Sequence, residues 1–226
     1  MIEKDIIENV LEVKRNIEFI CKDIGRNAAD ITILAVTKTV ESDRINVLSN
    51  TGISVAGENR VQEFLSKYEV VQGIKWHFIG TLQRNKIKFI IDKVDLVHSV
   101  DRVNLALELN CQCEKKGKIM PVLLQINVGD EETKGGVNVS EIEGLYNFVK
   151  MSCPFLEVQG FMAVLPYGAG ENLYKEMQEV FKLYSANDKN IKILSMGMSD
   201  DYLTAIKYGA TIIRLGSCIF GARNYN

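Results

Sequence analysis

Apolar positions along the chain switch repeatedly between a helical spacing and short unbroken runs. Residues 1–25 put Ile6, Val10, Val13, Ile17 and Ile20 on one side of a helix, with charged residues between them. ITILAVTK (31–38) follows, a run rich in β-branched residues that predicts a buried strand. The alternation continues with a helical stretch at 42–50, a strand at 52–59, a helix at 60–71, a strand at 76–82 and a helix at 85–92. Further strands at 94–100, 121–128, 156–164, 191–198 and 210–221 are separated by helices at 101–117, 140–153, 171–188 and 199–209. The stretch 129–139 between them reads as a loop. The pattern therefore predicts eight strands and seven intervening helices, with one more helix in front.

Most of these strands are apolar on both faces, as a parallel sheet covered by helices requires. With only 3 prolines and no Gly/Ser/Pro-rich linker, the expectation is one domain over 1–226. It is a single (β/α)8 TIM barrel with an extra N-terminal helix, at the small end of that fold's range. A doubly wound open sheet fits the same alternation, but no strand is followed by a G-x-G-x-x-G turn.

Composition narrows the partners. Lys and Arg total 27 against 29 Asp and Glu, a net charge of -2, and no basic tract offers a nucleic-acid surface. The N-terminal apolar residues are dispersed among charges, unlike a signal peptide. No unbroken apolar run reaches the ~18 residues that span a bilayer. The expectation is a cytoplasmic protein with no membrane contact. The 5 cysteines form an odd set whose only close pair is C-x-C, so reduced thiols are expected, with no metal site.

In such a barrel the active site gathers at the C-terminal strand ends. The polar residues there are Lys38, Glu58, Asn59, His77, Thr81, His98, Ser99, Asn127, Ser195, Ser199, Arg214 and Ser217. Lys38 shares a face with Thr32, Leu34 and Val36, which aims its amine from an apolar strand into the barrel. Burial disfavours the ammonium, and a neutral amine can condense with an aldehyde. A lysine that snorkels to solvent from a strand end satisfies the same pattern. In LSMGMSDDYLTAIKYG, Gly197 permits a tight turn and Ser199 reads as a helix N-cap whose N–H groups would attract an anion. RLGSCIFG adds Gly216 for close backbone approach and the Ser217 hydroxyl, and loops after strands 7 and 8 commonly hold phosphate in this fold. Closure of the barrel between strands 8 and 1 is expected to bring Arg214 beside Lys38.

Six motifs, ILAVTK, GENRVQE, WHFIGTLQRNK, HSVD, LSMGMSDD and RLGSCIFGARNY, occur in this order over roughly residues 10–225. Together they resemble the pyridoxal phosphate homeostasis proteins, small relatives of the barrel domain of alanine racemase. The resemblance implies pyridoxal 5′-phosphate (PLP) as cofactor, held as a Schiff base on Lys38. It implies that Arg214 faces the pyridine nitrogen and that Ser199, Gly216 and Ser217 hold the phosphate. Asn59 and His77 would line the ring, with Met198 beside them.

Related racemases bring a catalytic tyrosine from a second domain, whereas this chain ends at Asn226, just after strand 8. No catalytic residue is therefore assigned, and the expected role is a monomeric PLP carrier whose partners are PLP and PLP-dependent apoenzymes. A weak PLP-dependent amino-acid racemase is the enzyme alternative, for which Glu58 is the obvious acidic second base. A phosphosugar-binding barrel enzyme with a different Schiff base on Lys38 is a third.

Overall fold

The computed structural model describes residues 2–129, 131 and 134–221. Asp130, Glu132 and Thr133 of the expected loop and the last residues, 222–226, lie outside them. Helix α1 (Ile2–Asp23) leads into β1 (Thr32–Val36), α2 (Ser42–Asn46), β2 (Val55–Glu58), α3 (Val61–Tyr68), β3 (Lys75–Phe78) and β4 (Leu96–Val100). Then come α4 (Val103–Lys116), β5 (Met120–Ile126), α5 (Ile142–Ser152), β6 (Leu156–Ala163), α6 (Glu171–Asn187) and β7 (Ile193–Ser195). The last elements are α7 (Tyr202–Lys207), β8 (Ile212–Leu215) and α8 (Ser217–Phe220). All eight strands pair in parallel, in sequence order, and β8 closes on β1. This is the expected (β/α)8 barrel, and the open sheet is excluded.

Alternation along each strand separates two apolar regions. Outward residues such as Ala35, Ala56, Phe78, Val97 and Phe161 pack under the helices. Inward ones, Leu34, Val55, Leu96, Leu123, Met162 and Ile212, fill the lumen. Toward the C-terminal ends the lumen turns polar, with buried His77, His98, Gln125, Ser195 and Arg214. The apolar floor excludes water beneath these groups, so their bonds to one another are strong and any unmet one is costly.

The stripe expected on α1 is buried as predicted, from Ile6 to Ile20. This helix packs on α7, α8 and the turn at 47–50, where a full helix after β8 would otherwise lie. Asn9 Nδ2 donates to the Ile219 carbonyl at 3.0 Å, and Arg26 Nη1, in the turn after α1, to the Ile206 carbonyl at 2.6 Å, tying the helix and its turn to that end of the chain.

Several expected boundaries move. The segment 85–92 is a 3-10 turn over Arg84–Phe89 and not an α-helix. β7 holds only three residues because Gly197 turns the chain at φ +93°. The eighth apolar run breaks at Gly216, and its second half folds as α8. Among the described residues no helix is long and apolar enough to cross a membrane, and no cluster of His, Cys, Asp and Glu could hold a metal ion.

Candidate functional site

Lys38 lies two residues beyond the end of β1, half-buried, in a turn formed with Thr39. Leu34 and Val36 face the lumen, so the alternation places Lys38 on the lumen side, as expected. Thr39 has φ +62°, a left-handed conformation that a β-branched residue rarely adopts.

Arg214 is buried in the lumen on β8, the strand that closes the barrel against β1. The strand register sets it level with Leu34, four residues below Lys38. Its guanidinium reaches the other way, to the ends of β6 and β7. Nη1 donates to the carbonyl and hydroxyl oxygens of Ser195, each at 2.8 Å, and Nη2 to the Ala163 carbonyl at 2.7 Å. Carbonyls at the ends of β6 and β7 thus hold the fork on the side away from β1. Burial lowers the Arg214 pKa to about 10, with Asp201 opposing, so the guanidinium stays charged at neutral pH.

A relay runs from Arg214 across the lumen. His98 Nδ1 lies 3.1 Å from Ser195 Oγ, and His98 Nε2 lies 3.0 Å from His77 Nδ1. Arginine can only donate, so Ser195 accepts from it, and in the tautomer that uses the hydroxyl hydrogen Ser195 passes it to His98 Nδ1. His98 then donates through Nε2 to His77 Nδ1, which leaves His77 with its proton on Nε2. These tautomers are assigned from the network.

Burial lowers the His77 pKa from 6.5 to about 4, with Asp95 opposing and Lys75 reinforcing. Burial, His77 and Arg214 hold His98 well below its ordinary value. Between about pH 4 and 6.5 the unfolded chain binds protons that the folded one refuses, so stability falls as pH falls through that window. For His77 alone the loss between pH 7 and pH 5 is expected to be ~2 kcal/mol, in a range where ordinary carboxylates stay ionised. Urea titrations across that range check this, and a flat profile would contradict the buried, neutral pair.

Ser199 does not cap the helix after β7. Asp201 holds the N-cap position of α7. Its carboxylate accepts from the Met198 amide on one oxygen and from Tyr174 Oη at 2.6 Å on the other. Ser199 Oγ lies instead over the start of α8, accepting long hydrogen bonds of 3.3 Å from the Gly216 and Cys218 amides. Ser199 thus meets the start of α8, where Gly216 is half-buried and Ser217 exposed. Met198 is exposed and lines a cavity of about 570 Å³ between the loops after β6 and β7.

Asn59 follows β2 on the lumen side, and its Oδ1 is buried without a hydrogen-bond partner. Glu58 points the opposite way, between the barrel and α3. There it accepts from Lys67 Nζ at 2.7 Å and Thr37 Oγ1 at 2.6 Å. Burial raises its pKa against both of those bonds. It is therefore not a second base near Lys38. Ser99 also faces the helices, Thr81 is exposed, and Asn127 donates to the Glu131 carbonyl at 2.9 Å to hold its own loop. Lys67 escaped the sequence reading because Glu63 and Lys67 look like an ordinary i,i+4 surface pair.

The barrel mouth thus collects an amine, an orphaned buried acceptor, a charged guanidinium and loosely held backbone N–H groups. The alanine racemase N-terminal domain family matches residues 10–224, and that class of barrel is the one described here. The pyridoxal phosphate homeostasis protein of Aquifex aeolicus is 39% identical over 225 residues, covering 96% of this chain and 98% of the relative. PipY of Synechococcus elongatus, solved without PLP, has a TM-score of 0.79 at 27% identity, with 85% of this chain and 94% of that one covered. The same protein with PLP bound gives 0.81 at 24% identity, covering 96% and 100%. The chain belongs to the pyridoxal phosphate homeostasis protein family.

Proposed function

We propose that this protein binds pyridoxal 5′-phosphate as a Schiff base on Lys38 and serves as a carrier of the cofactor, not as an enzyme acting on amino acids. The observation that carries this reading is the orphaned Asn59 Oδ1 just beyond β2, in a barrel whose lumen also holds the charged Arg214 guanidinium. A buried polar atom without a partner costs ~1–3 kcal/mol, so a ligand that satisfies it gains what the empty site loses. The PLP-bound PipY structure and the name of the Aquifex relative support the choice of ligand.

When bound, PLP supplies an aldehyde that condenses with amines and a ring able to draw electrons from the attached carbon. Lys38, on the lumen side beyond β1, would be the residue that holds the aldehyde through its amine, with water as the group released. Arg214, charged at neutral pH, would donate toward the pyridine nitrogen and keep a proton off it. A ring without that proton stabilises a carbanion poorly, which favours storage over amino-acid chemistry. Engagement of Glu58 by Lys67 points the same way, since racemisation needs acid/base groups on both faces of the α-carbon. Because the imine reverses with water, Lys38 can return the cofactor to apoenzymes that need it.

The phosphate would be held by Ser199, Ser217 and the backbone N–H groups from Gly216 onward. Each hydroxyl gives a hydrogen bond to a charged acceptor worth ~1.5–3 kcal/mol. Ser199→Ala combined with Ser217→Ala should therefore weaken PLP far more than unphosphorylated pyridoxal, while either change alone leaves binding measurable. Parallel titrations with both aldehydes test this. Equal losses for the two ligands would place the phosphate elsewhere.

A further inference from the structure

We propose that Lys67, outside the lumen, is a positioning residue that clamps the turn carrying Lys38. The inference rests on the Schiff-base reading above. Lys38 stands between Thr37 and Thr39, and one buried charge cluster holds both from behind. Lys67, on α3, is only 6% exposed, and its Nζ donates to the Thr37 carbonyl, Glu58 Oε1 and Glu63 Oε1, all at 2.7 Å. Those three bonds use all three ammonium hydrogens. Thr37 Oγ1 donates to the same Glu58 oxygen, and the Thr39 amide donates to the same Glu63 oxygen.

The residues on either side of Lys38 are therefore fixed by one ammonium and two carboxylates from β2 and α3. Thr39 shows why such a hold is needed. Its φ of +62° persists only where the surroundings over-determine it. A buried ion pair is by itself weak support for stability, because desolvation offsets the Coulombic gain. What the cluster supplies is a defined geometry for the residue between its two contact points. No group in the cluster faces the lumen, so it acts on the cofactor only through the direction of Lys38.

The test compares wild type with Lys67→Met, and with Glu63→Gln as the milder variant that keeps the buried Glu58–Lys67 pair. Circular dichroism first establishes that each is folded. PLP titration followed by visible absorbance should then show weaker Schiff-base formation in Lys67→Met, by about tenfold or more, or ~1.4 kcal/mol. The pH titration of the bound chromophore should shift, and hydrogen exchange at the Thr39 amide should quicken in the ligand-free protein. Glu63→Gln should reproduce the faster exchange with a smaller loss of affinity.

A folded Lys67→Met with wild-type affinity, chromophore titration and Thr39 exchange would overturn the proposal. If Lys67→Met does not fold, Glu63→Gln decides by the same three readings. Wild type that forms no imine would sink the Schiff-base reading instead, and Thr39 exchange would still report on the clamp.

Discussion

Lys38→Ala is expected to abolish the imine chromophore and weaken PLP binding by at least ~100-fold, about 2.7 kcal/mol. The loss should be large but incomplete. In the proposed site Arg214, Asn59 and the amides around α8 remain in Lys38→Ala and would still hold the ring and phosphate. The variant should therefore bind PLP non-covalently, with the spectrum of the free aldehyde, and lose it on gel filtration. Lys38 is half-buried at a strand end and contributes little to the core, so the fold should persist. Equilibrium dialysis alongside absorbance measures both effects. An unchanged chromophore in Lys38→Ala would mean that another lysine carries the cofactor.

Gly160→Ala should be the most damaging small change to the barrel. Gly160 has φ +152°, and a Cβ there would sit 1.8 Å from the Ile193 carbonyl oxygen and 2.7 Å from its carbon. Those are backbone atoms of β7, paired in register with Gly160 itself, so they cannot retreat without breaking the β6–β7 ladder. The position also follows the irregular step between Val122 and Leu123 in the β5–β6 pairing. A cost above ~3 kcal/mol is expected, a large part of the 5–15 kcal/mol that typically holds a domain together. Gly144→Ala in α5 is the control. A Cβ there meets nothing within 4 Å, and the change should stabilise by ~0.5–1 kcal/mol. Urea midpoints for the two variants should move in opposite directions.

The barrel was legible in the sequence because both faces of its strands are apolar and its helices carry one-sided stripes. Both patterns are written in residue order, as Ile6 to Ile20 on α1 and Leu34 to Val36 on β1 show. Strand ends were less legible, since they depend on where neighbouring backbones stop pairing. Apolar runs continue through Met196 and through Cys218 to Phe220, yet the turn at Gly197 and the break at Gly216 end the strands early. Displacement of Ser199 from cap to α8 contact follows from that shortening.

Direction was the least legible property. Strand parity put Arg214 and Lys38 on the lumen side, but the target of a long fork is set by carbonyls on β6 and β7, which are distant in sequence. Glu58 shows the same limit. Its place at a strand end suggested a catalytic acid, whereas one residue of parity turns it to Lys67 on the outside of the barrel. The partner of a buried charge becomes visible only when β1, β2 and α3 are brought together.

The measurement that bears most directly on this account is borohydride reduction of the PLP-loaded protein, followed by digestion and peptide mass analysis. The phosphopyridoxyl group is expected on Lys38, in the peptide that carries ILAVTK. Finding the label chiefly on another lysine, such as Lys134, would contradict it.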